Sequence, residues 1–238
     1  MTTIDQQIAL VTGANRGLGK EFVTQLLERG AQKVYATARD VSTIDTGDPR
    51  VVALQLDVTD AESVRVAAEA AQDVTVLVNN AGIVTGARVL DVDQTDVRRE
   101  FETNFFGPLQ VTAALAPRIV ANGGGVVLDV HSALSWVSFG GTYETTKSAF
   151  WSATNAFRLE LAPRGVQVVG LHVGYMDTDM VADVDAPKSS PVDVVRLALD
   201  GVEAGELEVL ADDVSRQVKA GLSAPVEALY PQLAARPA

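Results

Sequence analysis

Tyr143 and Lys147 are the pair of residues in this sequence whose types and spacing most clearly suggest acid–base chemistry. They lie four residues apart in Tyr143–Ala162, a predicted helix, so both side chains would share one face about 6 Å apart along the axis. An ammonium about 4 Å from a phenol, at an effective dielectric of about 20, contributes about 4 kcal/mol. That is enough to lower the phenol pKa from about 10 towards 7, where a general acid–base works at neutral pH. An ordinary surface pair is the alternative.

A glycine-rich segment, Thr12–Gly19, joins the first predicted strand to the first predicted helix. Gly13 permits a tight turn, Gly17 lets a phosphate approach the backbone, and Gly19 lets helix and strand pack closely. The helix N-terminus then offers free N–H groups to a pyrophosphate, although a plain strand-to-helix turn is the alternative. The predicted phosphate-binding residues are Gly13, Asn15, Arg16, Gly17, Leu18 and Gly19.

The end of the second predicted strand bears on the choice of nicotinamide cofactor. An acid there would bind the ribose 2′-hydroxyl of NAD, but the strand runs through small residues to Arg39. Arg39 and Arg16 together can clamp a 2′-phosphate, which favours NADP(H) over NAD(H). Asp40 complicates this interpretation because it can neutralise Arg39, and both arginines can instead be solvated surface charges.

Short apolar runs alternate with longer helical segments along the whole chain, a pattern typical of βαβ units. Near-continuous apolar strands indicate a parallel sheet covered on both faces. We therefore expect a single α/β domain over residues 1–238: a doubly wound Rossmann fold with about seven parallel strands and helices on both faces. The predicted strands are Ile8–Thr12, Val34–Ala38, Val51–Leu54, Val76–Asn79, Val126–Val130, Val166–Val173 and Leu207–Ala211. The predicted helices are Arg16–Arg29, Asp60–Ala71, Thr95–Ala121, Tyr143–Ala162 and Pro191–Glu203. The pattern after Ala211 does not indicate a definite secondary structure, and residues 234–238 are expected to fray.

Composition excludes several classes of function. The chain has 238 residues with 19 Lys and Arg against 31 Asp and Glu, a net charge of −12 that disfavours nucleic acid as a partner. It has no cysteine and only two histidines, His131 and His172, so neither a disulfide nor a metal site is expected. There is no signal peptide and no apolar run of about eighteen residues, so we expect a cytoplasmic protein without a membrane partner.

Six motifs in this order resemble the short-chain dehydrogenase/reductases, in particular the compact branch with three residues between Gly13 and Gly17. The resemblance covers roughly Ile8 to Ala211. The motifs are Thr12–Gly19, Leu56-Asp57-Val58, Asn79-Asn80-Ala81-Gly82, Asn104, Ser132 and Tyr143–Lys147. The resemblance implies an oxidoreductase that interconverts a ketone or aldehyde and an alcohol with NADP(H).

The same resemblance implies a role for each catalytic candidate. Tyr143 would donate the proton, Lys147 would also hold the nicotinamide ribose, and Asn104 would anchor a water that relays protons. Ser132 follows the strand Val126–Val130 at the carboxyl edge of the sheet, where its hydroxyl can donate to the substrate oxygen. The alternatives are that Ser132 only caps a turn and that Asn104 only makes structural hydrogen bonds.

The remaining cofactor contacts also follow from the resemblance. Asp57 is expected near the adenine, with Val58 supplying a backbone contact. The segment Asn79–Gly82 would support the sheet, and Asn80, Ala81 and Gly82 would approach the adenosine. Gly174 and Thr178 resemble the loop that covers the nicotinamide. Asp57 can instead be a plain helix N-terminal acid.

Two departures from the family pattern leave alternatives open. Ser132 and Tyr143 are only 11 positions apart, so Ser135 can replace Ser132, or the chain can be a non-catalytic NADP-binding module. An isomerase or dehydratase that uses bound nicotinamide is a third reading. Val173 stands where a proline usually precedes the glycine at position 174.

The substrate side is rich in large apolar residues, which suggests an apolar or aromatic small molecule. The predicted substrate-binding residues are Ser132, Leu134, Trp136, Tyr175 and Met176. Packing of Trp136 and Phe139 into the core or a subunit contact is the alternative. Helix Tyr143–Ala162 is apolar around much of its circumference, which predicts a homodimer or homotetramer unless the C-terminal tail covers it.

Overall fold

Seven parallel strands form one sheet in the order β3-β2-β1-β4-β5-β6-β7. The computed structural model describes residues 3–91, 93–178, 183 and 185–233. The strands are β1 (Ile8–Val11), β2 (Lys33–Ala38), β3 (Val51–Gln55), β4 (Val76–Asn79), β5 (Gly125–Val130), β6 (Val166–His172) and β7 (Glu208–Leu210). Every apolar run named above becomes one of these strands, with ends that differ by at most one residue, which confirms the predicted fold class.

Helices cover both faces of the sheet. They are α1 (Gly17–Glu28), α2 (Ala61–Ala70), α3 (Thr95–Phe101), α4 (Gly107–Ala121), α5 (Thr142–Leu161), α6 (Pro191–Ala204), α7 (Asp213–Gly221) and the short α8 (Val226–Leu229). Buried residues of α1 and α6 pack on one face, and those of α2 and α4 pack on the other. The two layers explain why the strands lack a polar face.

Strand β1 illustrates how the sheet divides the core. Ala9 and Val11 belong to the apolar cluster under α1 and α6, whereas Leu10 between them belongs to the opposite cluster. Successive side chains of a strand point to opposite faces, so each face of β1 is fully buried. Burial on both sides requires the continuous apolar strand that the sequence shows.

The direction of strand order reverses between β1 and β4. The chain adds β2 and β3 on one side of β1, and then β4 to β7 on the other. The loops leaving β1 and β4 therefore diverge and open a crevice at the carboxyl ends of these strands, the usual place for a ligand in such sheets.

The predicted helix Thr95–Ala121 is interrupted, which corrects the sequence-based expectation. Residues Glu102–Phe106 form a π-helical turn between α3 and α4. Pro108 lacks an N–H, so the carbonyl of Asn104 has no donor four residues on, and the helix widens there. The wider turn carries Asn104, a predicted functional residue, in its middle.

The tail after Ala211 contains two helices that the sequence pattern did not predict. Asp212 starts α7 by accepting a hydrogen bond from the Ser215 N–H, and α7 packs against the turn that follows β5. The expectation for residues 234–238 lies outside the described residues. Within the described ranges, no helix combines the length and apolar character needed to cross a bilayer.

Candidate active site

The glycine loop after β1 has the geometry that the sequence predicts. Gly13 has a φ of +65°, in the left-handed region that favours glycine. A Cβ on Gly19 would lie 2.1 Å from the Gly13 carbonyl oxygen, so only glycine fits where α1 leaves the loop. Arg16, the N-cap of α1, makes no side-chain capping bond, and the first turn carries no acidic residue. The first-turn N–H groups therefore suit an anion.

Asn80 and Thr12 hold the glycine loop in place. The Thr12 hydroxyl accepts the N–H groups of Asn80 and Ala81, each at 2.9 Å. The Asn80 amide donates to the Thr12 carbonyl at 2.9 Å and to the Gly13 carbonyl at 3.2 Å. Asn79 supports the sheet from the same segment, because its amide donates to Asp129 of β5 at 2.8 Å. The motif predicted to support the sheet does so.

The end of β2 presents an exposed guanidinium. Arg39 makes no hydrogen bond or ion pair with any residue that the structure describes. Asp40 does not neutralise it, because the Asp40 carboxylate accepts the backbone N–H and the hydroxyl of Ser42 at 3.0 and 2.7 Å. The charge of Arg39 is therefore available to an anion at this edge of the sheet.

Asp57 and Val58 follow β3, next to the same crevice. The Asp57 carboxylate accepts the N–H and hydroxyl of Thr59 at 2.9 and 2.7 Å, and it does not cap α2, whose N-cap is Asp60. Val58 is buried and its carbonyl accepts a hydrogen bond from the Gln110 amide. Both residues are fixed by local bonds at the predicted adenine end of the crevice.

Ser132 and Tyr143 meet despite their short separation in sequence. Ser132 follows β5 as the N-cap of a 3-10 turn, Ala133–Ser135; its hydroxyl accepts the Leu134 N–H at 3.1 Å and is close enough to the Tyr143 phenol to oppose the rise in its pKa. Ser135 does not replace it, because the Ser135 hydroxyl accepts from the Ser132 N–H at 3.4 Å. The tight loop therefore still brings the Ser132 side chain next to the Tyr143 phenol.

Lys147 lies one helical turn beyond Tyr143 on α5 and is buried. Its Nζ donates to the Val130 carbonyl at 2.8 Å and stands 5.7 Å from the centroid of the Tyr143 ring. Burial lowers the pKa of Lys147 to about 8, while the carboxylate of Asp129 acts in the opposite direction.

The expected fall in the Tyr143 pKa is wrong. Burial raises the pKa of this phenol above its usual value, the hydrogen bond with Ser132 opposes the rise, and the carboxylates of Glu100 and Glu144 add to it. The sequence argument counted only the lysine charge and omitted desolvation and two nearby carboxylates. The phenol therefore stays protonated at neutral pH, which suits a proton donor.

Asn104 ties the π-helical turn to two other segments. Its amide donates to the Ile83 carbonyl at 2.9 Å and to the Thr146 hydroxyl at 3.1 Å, and its oxygen accepts the Ile83 N–H at 2.8 Å. The side-chain amide of Asn104 thus finds its hydrogen-bond partners within the protein, as expected if Asn104 has a structural role. Gly82 lies close by, since a Cβ there would be 3.4 Å from the Asn104 oxygen and 3.9 Å from the Lys147 Nζ.

The loop after β6 reaches the glycine loop. The Gly174 N–H donates to the Asp212 carboxylate at 2.6 Å, which anchors the loop where a proline is absent. Further along, the Thr178 methyl carbon lies 3.5 Å from the position of a Cβ on Gly17. Thr178 is therefore next to the predicted phosphate site.

The predicted substrate residues occupy different environments. Trp136 stacks on His172 with centroids 4.0 Å apart, and the Lys219 Nζ lies 4.7 Å from the same ring. Both faces of the indole are thus covered by protein, which supports the packing alternative for Trp136. Met176 packs against the core below the sheet edge, while Tyr175 is exposed and Leu134 is partly buried.

Three buried polar residues near the site were not predicted as functional. Glu100 is a fully buried carboxylate on α3, and His172 accepts or donates a bond at 3.3 Å between its Nδ1 and the Ser132 carbonyl. Asp129 binds Asn79 and Thr154, and burial raises its pKa to about 6. A signal existed for Glu100: it lies one helical turn before Asn104, on a helix otherwise apolar at that spacing.

The crevice fits a dinucleotide. The glycine cradle leaves no room for a Cβ at Gly19, and the first turn of the helix that follows carries no acidic residue. Arg39 offers a cation at one end, and the Ser132–Tyr143 pair lies at the other, beyond Gly82. This order of features suits a dinucleotide whose central phosphates lie at the glycine loop and whose two ends lie at Arg39 and at the Ser132–Tyr143 pair.

Comparison with known proteins gives the same assignment. The family model described as short chain dehydrogenase matches residues 7–189. A short-chain dehydrogenase from Burkholderia cenocepacia J2315, solved in complex with NADP, is 38% identical, with a TM-score of 0.92, and covers 99% of this chain and 100% of its own. A short-chain dehydrogenase/reductase from Burkholderia phymatum, solved with NAD, shares the fold at 21% identity with a TM-score of 0.84, covering 100% and 98%.

One curated relative is the NADPH-dependent 1-acyldihydroxyacetone phosphate reductase of Schizosaccharomyces pombe, which is 32% identical over 182 residues. The match covers 73% of this chain and spans 61% of the length of that reductase. Together with the glycine loop and the Ser132–Tyr143–Lys147 cluster, these matches show that the chain belongs to the short-chain dehydrogenase/reductase family of NAD(P)-dependent oxidoreductases acting on CH–OH groups.

Proposed function

We propose that this protein interconverts a ketone or aldehyde and the corresponding alcohol with NADP(H), and that Tyr143 is its general acid–base. The observation that carries the proposal is the meeting of Ser132 and Tyr143, whose side chains interact, beside the buried Lys147, whose Nζ lies 5.7 Å from the centroid of the Tyr143 ring. A single substrate oxygen can contact both hydroxyl groups at this point. The contact argues against a non-catalytic module, because the short loop was the main reason for that alternative.

Each residue has a distinct task in this scheme. Tyr143 donates its proton to the substrate oxygen during reduction, and its raised pKa keeps that proton in place beforehand. Ser132 donates a hydrogen bond to the same oxygen as negative charge develops there. Lys147 holds a positive charge beside the phenol, and Asn104 positions the neighbouring helical turn. When bound, the nicotinamide supplies or accepts the hydride.

Preference for NADP(H) is supported by Arg39. Its guanidinium lies at the end of β2, where a ribose 2′-phosphate is expected, and Asp40 is engaged with Ser42. The Burkholderia cenocepacia relative was solved with NADP, and the Schizosaccharomyces pombe relative is NADPH-dependent by name. Arg16 is the second proposed contact to this phosphate.

We further propose that the substrate is a small apolar carbonyl compound. Leu134, Tyr175 and Met176 lie on the two loops that leave β5 and β6, which flank the Ser132–Tyr143 pair. Trp136 is omitted from this set because both of its faces are covered.

A homodimer or homotetramer through α5 is proposed as the assembled form. Leu159 on this helix is 80% exposed, whereas Trp151 on the same helix lies near Lys219 of α7. The C-terminal helix thus covers only part of α5. Light scattering coupled to size-exclusion chromatography should give a mass of two or four chains, and a monomer would refute the proposal.

The decisive experiment is a panel of apolar ketones, aldehydes and alcohols followed at the nicotinamide absorbance with both cofactors. We expect turnover of at least one substrate, with a higher kcat/KM for NADPH than for NADH. Isomerisation of a substrate without net NADPH consumption would instead support the isomerase alternative.

A further inference from the structure

A fully buried carboxylate lies one helical turn before Asn104. Glu100 on α3 is 0% exposed. One of its oxygens accepts the Thr85 N–H at 2.6 Å and the Thr85 hydroxyl at 2.8 Å, and the other accepts the Thr142 hydroxyl. No lysine or arginine of the described ranges pairs with it. A buried carboxylate without a cation is costly, so its three donors are essential to it.

Glu100 and Asn104 form two parallel cross-links between the same three segments. Asn104 binds Ile83 and Thr146, and Glu100 binds Thr85 and Thr142. Each cross-link therefore joins the α3 region to the loop after β4 and to α5. The two threonines immediately precede the two predicted catalytic residues on α5: Thr142 precedes Tyr143, and Thr146 precedes Lys147.

The Glu100 cross-link lies where α5 begins. The Thr142 N–H also donates to the Ala87 carbonyl at 3.0 Å, so the first residue of α5 is fixed by two bonds to the loop and helix before it. The backbone of Tyr143 follows Thr142 directly, so the position of Thr142 sets where the Tyr143 side chain begins. Displacement of Thr142 would move the phenol away from Ser132.

We propose that Glu100 is a positioning residue, which fixes the first turn of α5 through Thr142 and keeps a buried negative charge at the start of the helix that carries Tyr143. The proposal rests on the proposed role of Tyr143 as acid–base. Glu100 has two effects that can be separated: its hydrogen bonds set the place of the phenol, and its charge disfavours the phenolate.

Other charged groups also surround the phenol. Glu144 on α5 also raises the pKa of the phenol, the Lys147 Nζ lies 5.7 Å from the centroid of the Tyr143 ring, and Asp129 on β5 acts on Lys147. Of the two carboxylates that raise the pKa of Tyr143, Glu100 has the larger effect. Lys147 does not compete with the three donors of Glu100, because its Nζ donates to the Val130 carbonyl.

The first test uses Glu100→Gln, which removes the charge and keeps the shape. The new amide can donate to the Thr142 hydroxyl, which then donates to the Ala87 carbonyl 3.3 Å away, so the cross-link survives. We expect the pH midpoint of alcohol oxidation, which needs the phenolate, to fall by about one unit. Glu102→Gln makes the same charge change on an exposed neighbour and should leave the midpoint unchanged.

The second test uses Thr142→Val, which keeps the charge and removes the hydroxyl. We expect kcat to fall at least about tenfold with an unchanged KM for NADPH and an unchanged pH midpoint, and Thr142→Ser to restore kcat. If Glu100→Gln lowers kcat without moving the midpoint, or Thr142→Val matches the parent enzyme, the proposal is wrong.

A direct titration of the Tyr143 phenol tests the effect of Glu100 without any turnover, so it does not depend on whether the proposed function is correct. The chain has four tyrosines, so carbon-13 NMR of labelled tyrosine rings, assigned with Tyr143→Phe, follows the Tyr143 phenol without any turnover. A lower Tyr143 pKa in Glu100→Gln supports the charge effect even if no substrate is found. An unmoved pKa refutes it even if the enzyme is active.

Discussion

Ser132 and Tyr143 lie close enough for the Ser132 side chain to lower the pKa of the Tyr143 phenol, although only 11 positions separate them in the chain. The 3-10 turn Ala133–Ser135 makes this possible, because Ser132 caps it and the chain then reaches α5 in six residues, 136–141. The turn is held from below by the Ala133 N–H, which donates to the Val173 carbonyl at 2.9 Å. A short loop is thus compatible with two converging hydroxyl groups.

Tyr143→Phe should remove proton transfer and leave the fold intact. We expect kcat to fall by about 10² to 10⁴-fold, the usual contribution of a positioned general acid, with NADPH affinity unchanged. Steady-state kinetics and fluorescence titration with NADPH measure the two quantities. Tyr35→Phe is the matched control: its hydroxyl binds Asp73 at 2.8 Å on β2, away from the crevice, and its kcat should match the parent. Equal activity of Tyr143→Phe and the parent would exclude Tyr143 as the acid.

Arg39→Ala should change cofactor preference. Loss of a charge-assisted bond to a phosphate costs about 1.5–3 kcal/mol, so KM for NADPH should rise about 10 to 100-fold while KM for NADH changes little. Arg65→Ala removes an arginine of α2 that pairs with Glu62 and Glu69, and it should leave both values unchanged. An equal rise of both KM values in Arg39→Ala would refute the assignment of the 2′-phosphate to this residue.

The sheet and the catalytic pair were predictable because their signals are local. A strand buried on both faces must be apolar throughout, and Tyr143 and Lys147 lie one turn apart whatever surrounds them. The π-helical turn was not predictable, since it depends on Pro108 together with the bonds of Asn104 to Ile83 and Thr146.

The electrostatics of the site could not be predicted from the sequence, because they too depend on contacts between residues far apart in the chain. Glu100 and Thr142 are 42 positions apart, and His172 and Ser132 are 40 apart, so neither contact has a local pattern. Desolvation of Tyr143 arises from packing of whole segments, and it has the largest effect on the pKa of the phenol, which the spacing of Tyr143 and Lys147 does not reveal. Helix α7 was missed because its exposed residues dominate its composition and its partner is the loop after β5.

Gly19→Ala should abolish dinucleotide binding. The added methyl would lie 2.1 Å from the Gly13 carbonyl oxygen and 2.6 Å from the Asn80 amide, and the first of these is backbone that cannot move aside alone. We expect destabilisation of about 1–3 kcal/mol and loss of NADPH binding in a fluorescence titration. Gly47→Ala is the control, since its methyl meets only the Asp45 carboxylate at 3.3 Å on an exposed loop. Binding by Gly19→Ala with parental affinity would contradict the proposed phosphate site.

His172 should make the protein less stable in mild acid. Its ring is 0% exposed between His131 and Trp136, with centroids 4.8 and 4.0 Å away, and burial lowers its pKa to about 4. An unfolded histidine has a pKa near 6.5, so between these values the unfolded chain binds the extra proton. The contribution of His172 to the free energy of unfolding therefore falls as pH drops from about 6.5 towards 4.

Two neighbours modify this dependence in known directions. Burial also lowers the pKa of His131, which adds to the loss in acid. Burial raises the pKa of Asp129 to about 6, so Asp129 acts in the opposite sense and favours the folded state as pH falls through that value. A variant of His172 alone therefore isolates one contribution among three.

His172→Phe keeps a stacked ring between His131 and Trp136 and cannot take up a proton. We expect the free energy of unfolding of the parent to lose about 2 kcal/mol more than that of the variant between about pH 7 and about pH 4.5. Urea denaturation of both proteins at the two pH values measures this difference. His131 is the only other histidine in the chain, so any histidine dependence left in the variant belongs to it. Parallel pH profiles for parent and variant would mean that His172 is readily protonated in the folded protein, which is incompatible with its buried, stacked position.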